Sequence, residues 1–221
     1  MTHRICLIHA VQVAMAPIEA SFQRLWPEAE RMNLLEDRLS ADRKTGALTP
    51  DMFRRFDTLA DYAVSTGAAG ILYTCSAFGP AIEAVQQRLS IPVFKPNQAM
   101  FVEGLKKGRR IGMIATFDPS LQPMVEELRE MAIAANVDVS IATACVPEAM
   151  QALNAGDAQR HHELVAGAVS QLRDCDVILL AQFSMAGARE AVEAATTLPV
   201  LTSPDSAVVA IRAAVEGRAA K

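Results

Sequence analysis

The chain has few of the features that mark proteins which bind nucleic acids or membranes. Its 221 residues include 21 Lys and Arg against 25 Asp and Glu, so the formal net charge is −4 and the pI is about 5.6. Binding to phosphate backbones normally needs a clustered excess of basic residues, so we expect no nucleic-acid partner. No apolar run approaches the roughly 18 residues that a membrane span needs, so we expect no membrane partner either.

The N-terminal residues 1–20 also lack the basic start and the small-residue cleavage site of a signal peptide, so we expect a cytoplasmic protein. In that reducing compartment the four cysteines should be free thiols, since they are widely spread and form no CxxC pair. Neither the cysteines and histidines nor the carboxylates have the spacing of metal ligands. We therefore expect no metal site.

What the chain does contain is a regular alternation of short apolar runs and longer segments of helical pattern. The predicted strands are 4–10, 32–35, 71–74, 92–94, 110–116, 138–143, 177–180 and a short one around residue 200. The predicted helices are 17–31, 52–65, 79–89, 121–135, 157–172, 188–195 and 206–216. Strands that alternate with helices of about ten to fifteen residues indicate parallel sheets covered by helices, so the expected fold class is α/β.

An internal repeat indicates that the chain consists of two similar halves. Residues 71–96 align without a gap with residues 178–203, each 107 positions later, and eight of the aligned pairs are identical. Residues 4–10 and 110–116 match in the same way at an offset of 106. Such a repeat predicts two pseudo-symmetric lobes, each with a parallel sheet flanked by helices.

We expect the first lobe over residues 1–105 and the second over 106–205, with a C-terminal helix at 206–221 that packs back on the first. Ligands of parallel sheets bind beyond the carboxyl ends of the strands. The active site is therefore expected in the cleft between the lobes, where the strand ends that carry Cys75 and Gln182 would converge.

Cys75 is the strongest candidate for chemistry. It ends an apolar strand and immediately precedes a helix start, where the helix dipole and unpaired backbone N–H groups should lower the pKa of a thiol. The repeat places Gln182 at the corresponding position of the second half, so any mechanism that needs one thiol from each half lacks one. Cys6, Cys145 and Cys175 have no such context and are expected to be structural.

The segments TCSAFG (74–79) and LAQFSMA (180–186) resemble the two cysteine motifs of the aspartate/glutamate/hydantoin racemase superfamily. The likeness covers essentially the whole chain. Members of that superfamily have two pseudo-symmetric α/β lobes, each with a catalytic cysteine, and use neither metal nor pyridoxal phosphate. One thiolate removes the proton next to a carboxylate and the opposite thiol returns one. The resemblance therefore implies no cofactor, a small anionic substrate and a homo-oligomer, a dimer or larger.

Gln182 replaces the second cysteine of that pattern, and its amide neither gives up nor takes a proton near neutral pH. It can still donate a hydrogen bond to a carboxylate or enolate oxygen, which leaves Cys75 as the base or nucleophile. Ser184 is a further candidate for proton transfer, or else a helix cap or a substrate hydrogen-bond donor. His161 and His162 are either a helper acid or, more commonly at such positions, solvent-facing helix residues.

Several further residues are expected to bind the substrate. Thr116 and Ser120 lie in a segment, 114–120, that resembles the superfamily's carboxylate-binding loop, and hydroxyls and amides at a helix start suit an anion. Each of the two could also be an ordinary helix cap. The remaining candidates are the backbone N–H groups after Cys75 and residues at other strand ends: Ser76, Ala77, Phe78, His9 and Phe183.

The resemblance implies a cofactor-independent isomerase of racemase or epimerase type that acts on a small carboxylate or a related carbon acid. One-cysteine relatives leave two alternatives open. A decarboxylase needs only one proton donor, and a cis-trans isomerase uses one cysteine as a nucleophile; the decarboxylases, however, keep the cysteine of the second half, whereas this chain keeps the first. A non-catalytic protein that binds a small anion is the alternative from another class.

Overall fold

A computed structural model describes residues 2–43 and 47–219, which form eight strands and ten α-helices. The strands are β1 (Arg4–His9), β2 (Glu30–Leu35), β3 (Gly70–Tyr73), β4 (Val93–Phe94), β5 (Arg110–Ala115), β6 (Ser140–Cys145), β7 (Val177–Leu180) and β8 (Val200–Thr202). The helices are α1 (Met15–Leu25), α2 (Arg38–Arg43), α3 (Pro50–Ser65), α4 (Gly79–Arg88), α5 (Gln98–Lys107), α6 (Asp118–Ala134), α7 (Pro147–Asn154), α8 (Ala158–Gly167), α9 (Arg189–Ala195) and α10 (Ser203–Ala219). Across the described ranges, none of the helices combines the length and the apolar character needed to cross a membrane.

The strands form two sheets of four parallel strands with the same internal order. That order is β2-β1-β3-β4 in the first sheet and β6-β5-β7-β8 in the second. The registers agree as well, since Ile8 pairs with Tyr73 in the first sheet and Ile114 with Leu180 in the second. The predicted α/β class with two pseudo-symmetric halves is confirmed.

The first compact unit consists of Met1–Gln98 and Ala207–Lys221. Its central strands β1 and β3 are apolar between Arg4 and His9, the two end residues of β1, and along all of β3, because helices cover both faces of a parallel sheet. Phe56 of α3 stacks against Tyr73 of β3 and also contacts Phe78, with ring centroids 5.0 Å apart in each pair. The segment that follows β3 is therefore anchored in the core of this unit.

The C-terminal helix α10 contributes to this core from residue 207 onwards. Ile211 and Val215 pack on Gly70 at the start of β3, where a Cβ atom would lie 3.2 Å from both side chains. Arg212 donates a hydrogen bond to the Leu25 carbonyl at 3.0 Å. The sequence prediction for this helix extends to residue 221, and its last two positions lie outside the described residues.

The second compact unit consists of Ala99–Ser206. It includes α5, because Gly104 packs so closely on Leu179 of β7 that a Cβ atom would lie 3.2 Å from the leucine side chain. The boundary expected from the sequence, between residues 105 and 106, lies inside this helix. The packing of α5 on β7 explains why the second unit already begins at its second residue.

The predicted helix at 17–31 is wrong in its second half. α1 ends at Leu25 and β2 begins at Glu30. The reason is Pro27, which disfavours the helical conformation of the residue before it, and Trp26 accordingly has φ −153° and ψ 62°. The helices α2, α5 and α7 were not predicted, since segments of six to ten residues show too few turns for the periodicity to stand out.

Candidate active site

Cys75 stands just beyond the end of β3, an interior strand of the first sheet. Its backbone is extended, with φ −125° and ψ 120°, and it is the N-cap of a 3₁₀ turn at Ser76–Phe78 that leads into α4. Cys75 is partly exposed, whereas Cys6 and Cys175 are buried. The thiol therefore lies at the carboxyl edge of a buried strand, which is where ligands of parallel sheets bind.

Burial raises the pKa of the Cys75 thiol above its usual value. Two groups act in the opposite direction, since the backbone N–H of Ala77 and the positive charge of Arg43 both lower the pKa of this thiol. Arg43 is held there because its Nε donates to the Ala77 carbonyl at 3.0 Å. The expected lowering of the Cys75 pKa is wrong because burial outweighs both groups. The resting form at neutral pH is the neutral thiol.

A chain of hydrogen-bonded side chains ends at Thr74, the residue before Cys75. His9, at the end of β1, is fully buried; its Nδ1 lies 2.9 Å from Thr74 Oγ1 and its Nε2 lies 2.9 Å from Asn33 Oδ1. The Asn33 amide group donates to Glu19 at 2.8 Å, so its oxygen faces His9 and accepts the Nε2 proton. We call these four residues, Glu19, Asn33, His9 and Thr74, the relay.

The relay holds His9 in one tautomer. Burial lowers the pKa of His9, and this outweighs the hydrogen bond that His9 donates to Asn33 and the charge of Glu19, so the ring is neutral near pH 7. Nδ1 is then an acceptor for the Thr74 hydroxyl. Contact between His9 and a substrate stays a prediction; in the structure both ring nitrogens are occupied, and the ring holds Thr74.

Gln182 occupies the corresponding place beyond β7 in the second unit. It is also the extended N-cap of a 3₁₀ turn, with φ −135° and ψ 144°. Its Oε1 accepts hydrogen bonds from the Thr116 backbone N–H at 2.7 Å and from the Thr116 hydroxyl at 2.8 Å. Its Nε2 lies 3.4 Å from Ser120 Oγ. The two donors on Thr116 therefore orient the carboxamide so that the NH₂ group is the one left to donate.

This contact changes the role expected for Thr116. The sequence predicts that its N–H and hydroxyl bind a substrate carboxylate, but both donate to the Gln182 oxygen, because glutamine is long enough to reach back to the end of β5. Ser120, in the first turn of α6, donates to the Phe117 carbonyl at 2.7 Å. In this arrangement Thr116 positions Gln182, and substrate binding by Thr116 or Ser120 stays a prediction.

The remaining predicted site residues differ in their exposure. Ser76 and Ala77 are exposed residues just after Cys75, and the Ala77 carbonyl accepts the hydrogen bond from Arg43. The rings of Phe78 and Phe183 are buried, with 0% and 5% of their surface exposed, so neither side chain is presented to a ligand. Ser184 is partly exposed and makes no side-chain hydrogen bond to any described residue.

His161 and His162 lie in the first half of α8. The expectation that both face solvent is wrong for His161, which is fully buried because α8 packs against α7, α9 and the 3₁₀ turn after Gln182. Neither ring nitrogen of His161 has a hydrogen-bond partner among the described residues. Burial, together with the neighbouring His162, lowers the pKa of His161.

Replacement of His161 by leucine is expected to make the free energy of unfolding less dependent on pH. Protons bind the unfolded chain near the ordinary histidine pKa of about 6.5 but not the buried ring. The wild-type protein should therefore lose up to about 1.4 kcal/mol per pH unit from this residue as the pH falls below that value. At pH 7.5 the variant should be at least as stable, since two unpaired nitrogens are gone.

Urea unfolding of the wild type and His161→Leu at pH 7.5, 6.5 and 5.5 checks this expectation. His162→Leu is the matched control, because the same change is made at a partly exposed neighbour. Equal losses of unfolding free energy on acidification in the wild type and His161→Leu would contradict a buried neutral His161.

The sequence predicted no role for four residues that the structure places around His9 and Cys75: Thr74, Asn33, Glu19 and Arg43. Asn33 and Glu19 lie on different elements from Cys75, so no local pattern connects them with it. Arg43 is separated from Cys75 by more than thirty residues. Of these four residues, only Thr74 could have been found from the sequence, because a polar residue at the end of a buried apolar strand needs a hydrogen-bond partner.

A metal site in a protein needs several donor side chains grouped together. Within residues 2–43 and 47–219, no three or more His, Cys, Asp or Glu side chains are grouped so that they could hold a metal ion.

Comparisons with known proteins concern the family and the fold of the chain. The sequence profile of the family described as Asp/Glu/hydantoin racemase matches residues 18–211. A glutamate racemase from Bacillus anthracis is 13% identical, with 98% of this chain and 82% of that chain covered and a TM-score of 0.69. An aspartate racemase homologue from Pyrococcus horikoshii OT3 is 11% identical, with 97% of this chain and 100% of that chain covered and a TM-score of 0.73. An arylmalonate decarboxylase is 17% identical, with 97% of this chain and 93% of that chain covered and a TM-score of 0.63. No curated protein sequence matches.

Proposed function

Because the chain belongs to the Asp/Glu/hydantoin racemase family, we propose that it is a cofactor-independent enzyme that acts on a small carboxylate or a related carbon acid through Cys75. The observation that carries the proposal is the position of this thiol. Cys75 is partly exposed at the carboxyl end of an interior strand, and Arg43 is held at the turn that follows it by a hydrogen bond to the Ala77 carbonyl. Cys145 is also partly exposed, but it lies on the edge strand β6.

The neutral form of Cys75 supports a role as proton donor. The best-suited reaction is one that needs a single protonation at carbon, which is the case for the decarboxylation of a substituted malonate. The bond between the α-carbon and one carboxylate breaks, and carbon dioxide leaves. The electron pair of that bond stays with the rest of the substrate, which becomes an enolate. Cys75 gives its proton to that carbon, and the resulting thiolate regains a proton from water.

Gln182 complements this role as a donor that does not titrate. With its oxygen held by Thr116, its NH₂ group is available to donate to an enolate or carboxylate oxygen of the substrate. Such a donor stabilises the charge that develops on oxygen when the bond to carbon dioxide breaks. Ser184, whose hydroxyl is not engaged with described residues, is a second polar group in the same turn.

Isomerisation is the second candidate. It needs Cys75 to remove a proton as well as to return one, and the backbone N–H of Ala77 and the positive charge of Arg43 both favour the thiolate. A thiol that returns the proton to the face from which it came restores the starting configuration. Since Gln182 exchanges no proton, inversion by this route requires the planar intermediate to turn its other face to Cys75 before it is protonated.

Incubation with amino acids, hydantoins and substituted malonates in deuterated water distinguishes the two reactions. Release of carbon dioxide with one deuterium on the product carbon supports the decarboxylase. Deuterium at carbon without loss of carbon dioxide supports the isomerase. The Cys75→Ser protein, prepared in the same way, controls for contaminating enzymes. If none of these compounds reacts, the enzyme proposal fails for these classes, and a protein that only binds small anions is favoured.

A further inference from the structure

Phe117 is an exposed aromatic residue at the carboxyl edge of the second sheet. It directly follows Thr116, just beyond the end of β5, and 51% of its surface is exposed. The chain has eight phenylalanines, all within the described ranges, and the other seven are buried or half-buried. Phe117 is therefore the one phenylalanine that the fold leaves largely in water.

The ring of Phe117 is also poorly suited to its place in the helix that follows. Phe117 is the N-cap of α6, and its side chain forms no capping hydrogen bond. Ser, Thr, Asp and Asn are favoured at an N-cap because their side chains accept a hydrogen bond from the first turn. A single exposed apolar residue is common on protein surfaces, but this one stabilises neither the core nor the helix. A residue that breaks a local rule without a structural gain is typical of a functional site.

Hydrogen bonds place the backbone of Phe117 next to the carboxamide of Gln182. The preceding residue, Thr116, donates to Gln182 Oε1 from its backbone N–H at 2.7 Å and from its hydroxyl at 2.8 Å. Ser120 donates to the Phe117 carbonyl at 2.7 Å, and the same hydroxyl oxygen lies 3.4 Å from Gln182 Nε2. Phe117 thus lies between two residues that contact the carboxamide, at the same edge of the sheet as its NH₂ donor.

We propose that Phe117 is a specificity-determining residue that packs against an aromatic substituent of the carboxylate bound by Gln182. The inference rests on the proposed function, because it assumes a small carboxylate at the Gln182 NH₂ group. In a small carbon acid the carboxylate and the substituent are attached to the same carbon, so the substituent lies close to the side chains around Nε2. Two aromatic rings attract each other beyond the effect of the area that they remove from water, so an aromatic substituent gains more than an alkyl group.

Binding of phenylacetate and acetate tests this proposal without any turnover. The two anions have the same carboxylate and differ by one phenyl ring. Dissociation constants from ¹H–¹⁵N NMR titrations of the wild-type protein should favour phenylacetate by about tenfold, the effect of one buried aromatic contact. The Phe117→Ser protein should bind the two anions within about twofold of each other, because it lacks this contact. Its affinity for acetate should equal that of the wild type, since Gln182 is retained.

Two further variants control for the nature and the place of the ring. Phe117→Tyr keeps an aromatic ring and should keep the preference for phenylacetate. Tyr62→Ser is the matched control, because it removes a comparably exposed ring, at 55%, from α3 of the first unit, and it should leave the preference unchanged. Serine suits an N-cap, so Phe117→Ser should unfold at no lower temperature than the wild type, whereas a structural role for the ring would lower that temperature.

Three results overturn the proposal: equal wild-type affinities for the two anions, no binding of either, or a preference for phenylacetate that persists in folded Phe117→Ser. Because the titrations follow binding alone, their outcome is separate from that of the activity measurements. A protein that decarboxylates an alkylmalonate but does not prefer phenylacetate retains the proposed function and loses this inference.

Discussion

Replacement of Cys75 by serine is expected to lower kcat about a thousandfold for any substrate that the wild-type protein turns over, within the range typical of general acids and bases. A serine hydroxyl holds its proton far more tightly than a thiol, so it neither protonates an enolate nor removes a proton at useful rates. The substitution is nearly isosteric at a partly exposed position, so the free energy of unfolding should change little. Steady-state kinetics and thermal unfolding of the same preparation measure both quantities.

Cys145→Ser is the matched control for this experiment. Cys145 is also partly exposed and is the last residue of a strand, but that strand, β6, lies at the edge of its sheet. Its replacement should leave kcat within about twofold of the wild type, as is usual for changes outside a catalytic group. A Cys75→Ser protein that retains wild-type kcat, or a Cys145→Ser protein that loses it, would show that Cys75 does not carry the proton.

Gln182→Glu is expected to lower kcat/KM by a factor of about 100 to 1,000, the usual effect of losing one donor to a developing oxyanion. A carboxylate accepts hydrogen bonds from the Thr116 N–H and hydroxyl at least as well as the amide oxygen does. The side chain should therefore stay in place and the fold should be retained. What disappears is the NH₂ donor, and the new negative charge repels an anionic substrate.

Gln171→Glu makes the same chemical change at an exposed residue of the same unit and should leave kcat/KM unaltered. The pH dependence provides a further check on Gln182→Glu. Protonation of the introduced carboxylate restores a donor and removes the charge, so the activity of the variant relative to the wild type should recover as the pH falls toward 5. Wild-type kcat/KM in Gln182→Glu at neutral pH would rule out a donor role for this residue.

The fold was largely predictable because its signals are local and repeated. A parallel strand that is covered on both faces must be apolar along its length, so β3 and β7 stand out as continuous runs. The repeat places the two runs in correspondence. The prediction failed where the signal was short, as in α2 and α7, and where Pro27 ended α1 earlier than the apolar pattern suggested.

The equivalent places of Cys75 and Gln182 after β3 and β7 were predictable from the sequence, but the surroundings of the two side chains were not. Cys75 and Gln182 could be aligned from the repeat alone. The raised pKa of Cys75 depends on how much protein surrounds its sulfur, and the orientation of the Gln182 amide depends on Thr116, 66 positions away. Neither quantity is encoded in the residues next to the site.

The sequence by itself determined the α/β fold and the family, because both follow from residue identity at repeated positions. Only the tertiary structure decided that Cys75 is a neutral thiol and that Thr116 donates its hydrogen bonds to Gln182. It also decided that the His9 ring is hydrogen-bonded to Thr74 and Asn33. The physical reason is that proton affinity and hydrogen-bond direction are set by the nearest atoms in space. In this chain those atoms come from elements that are distant in sequence.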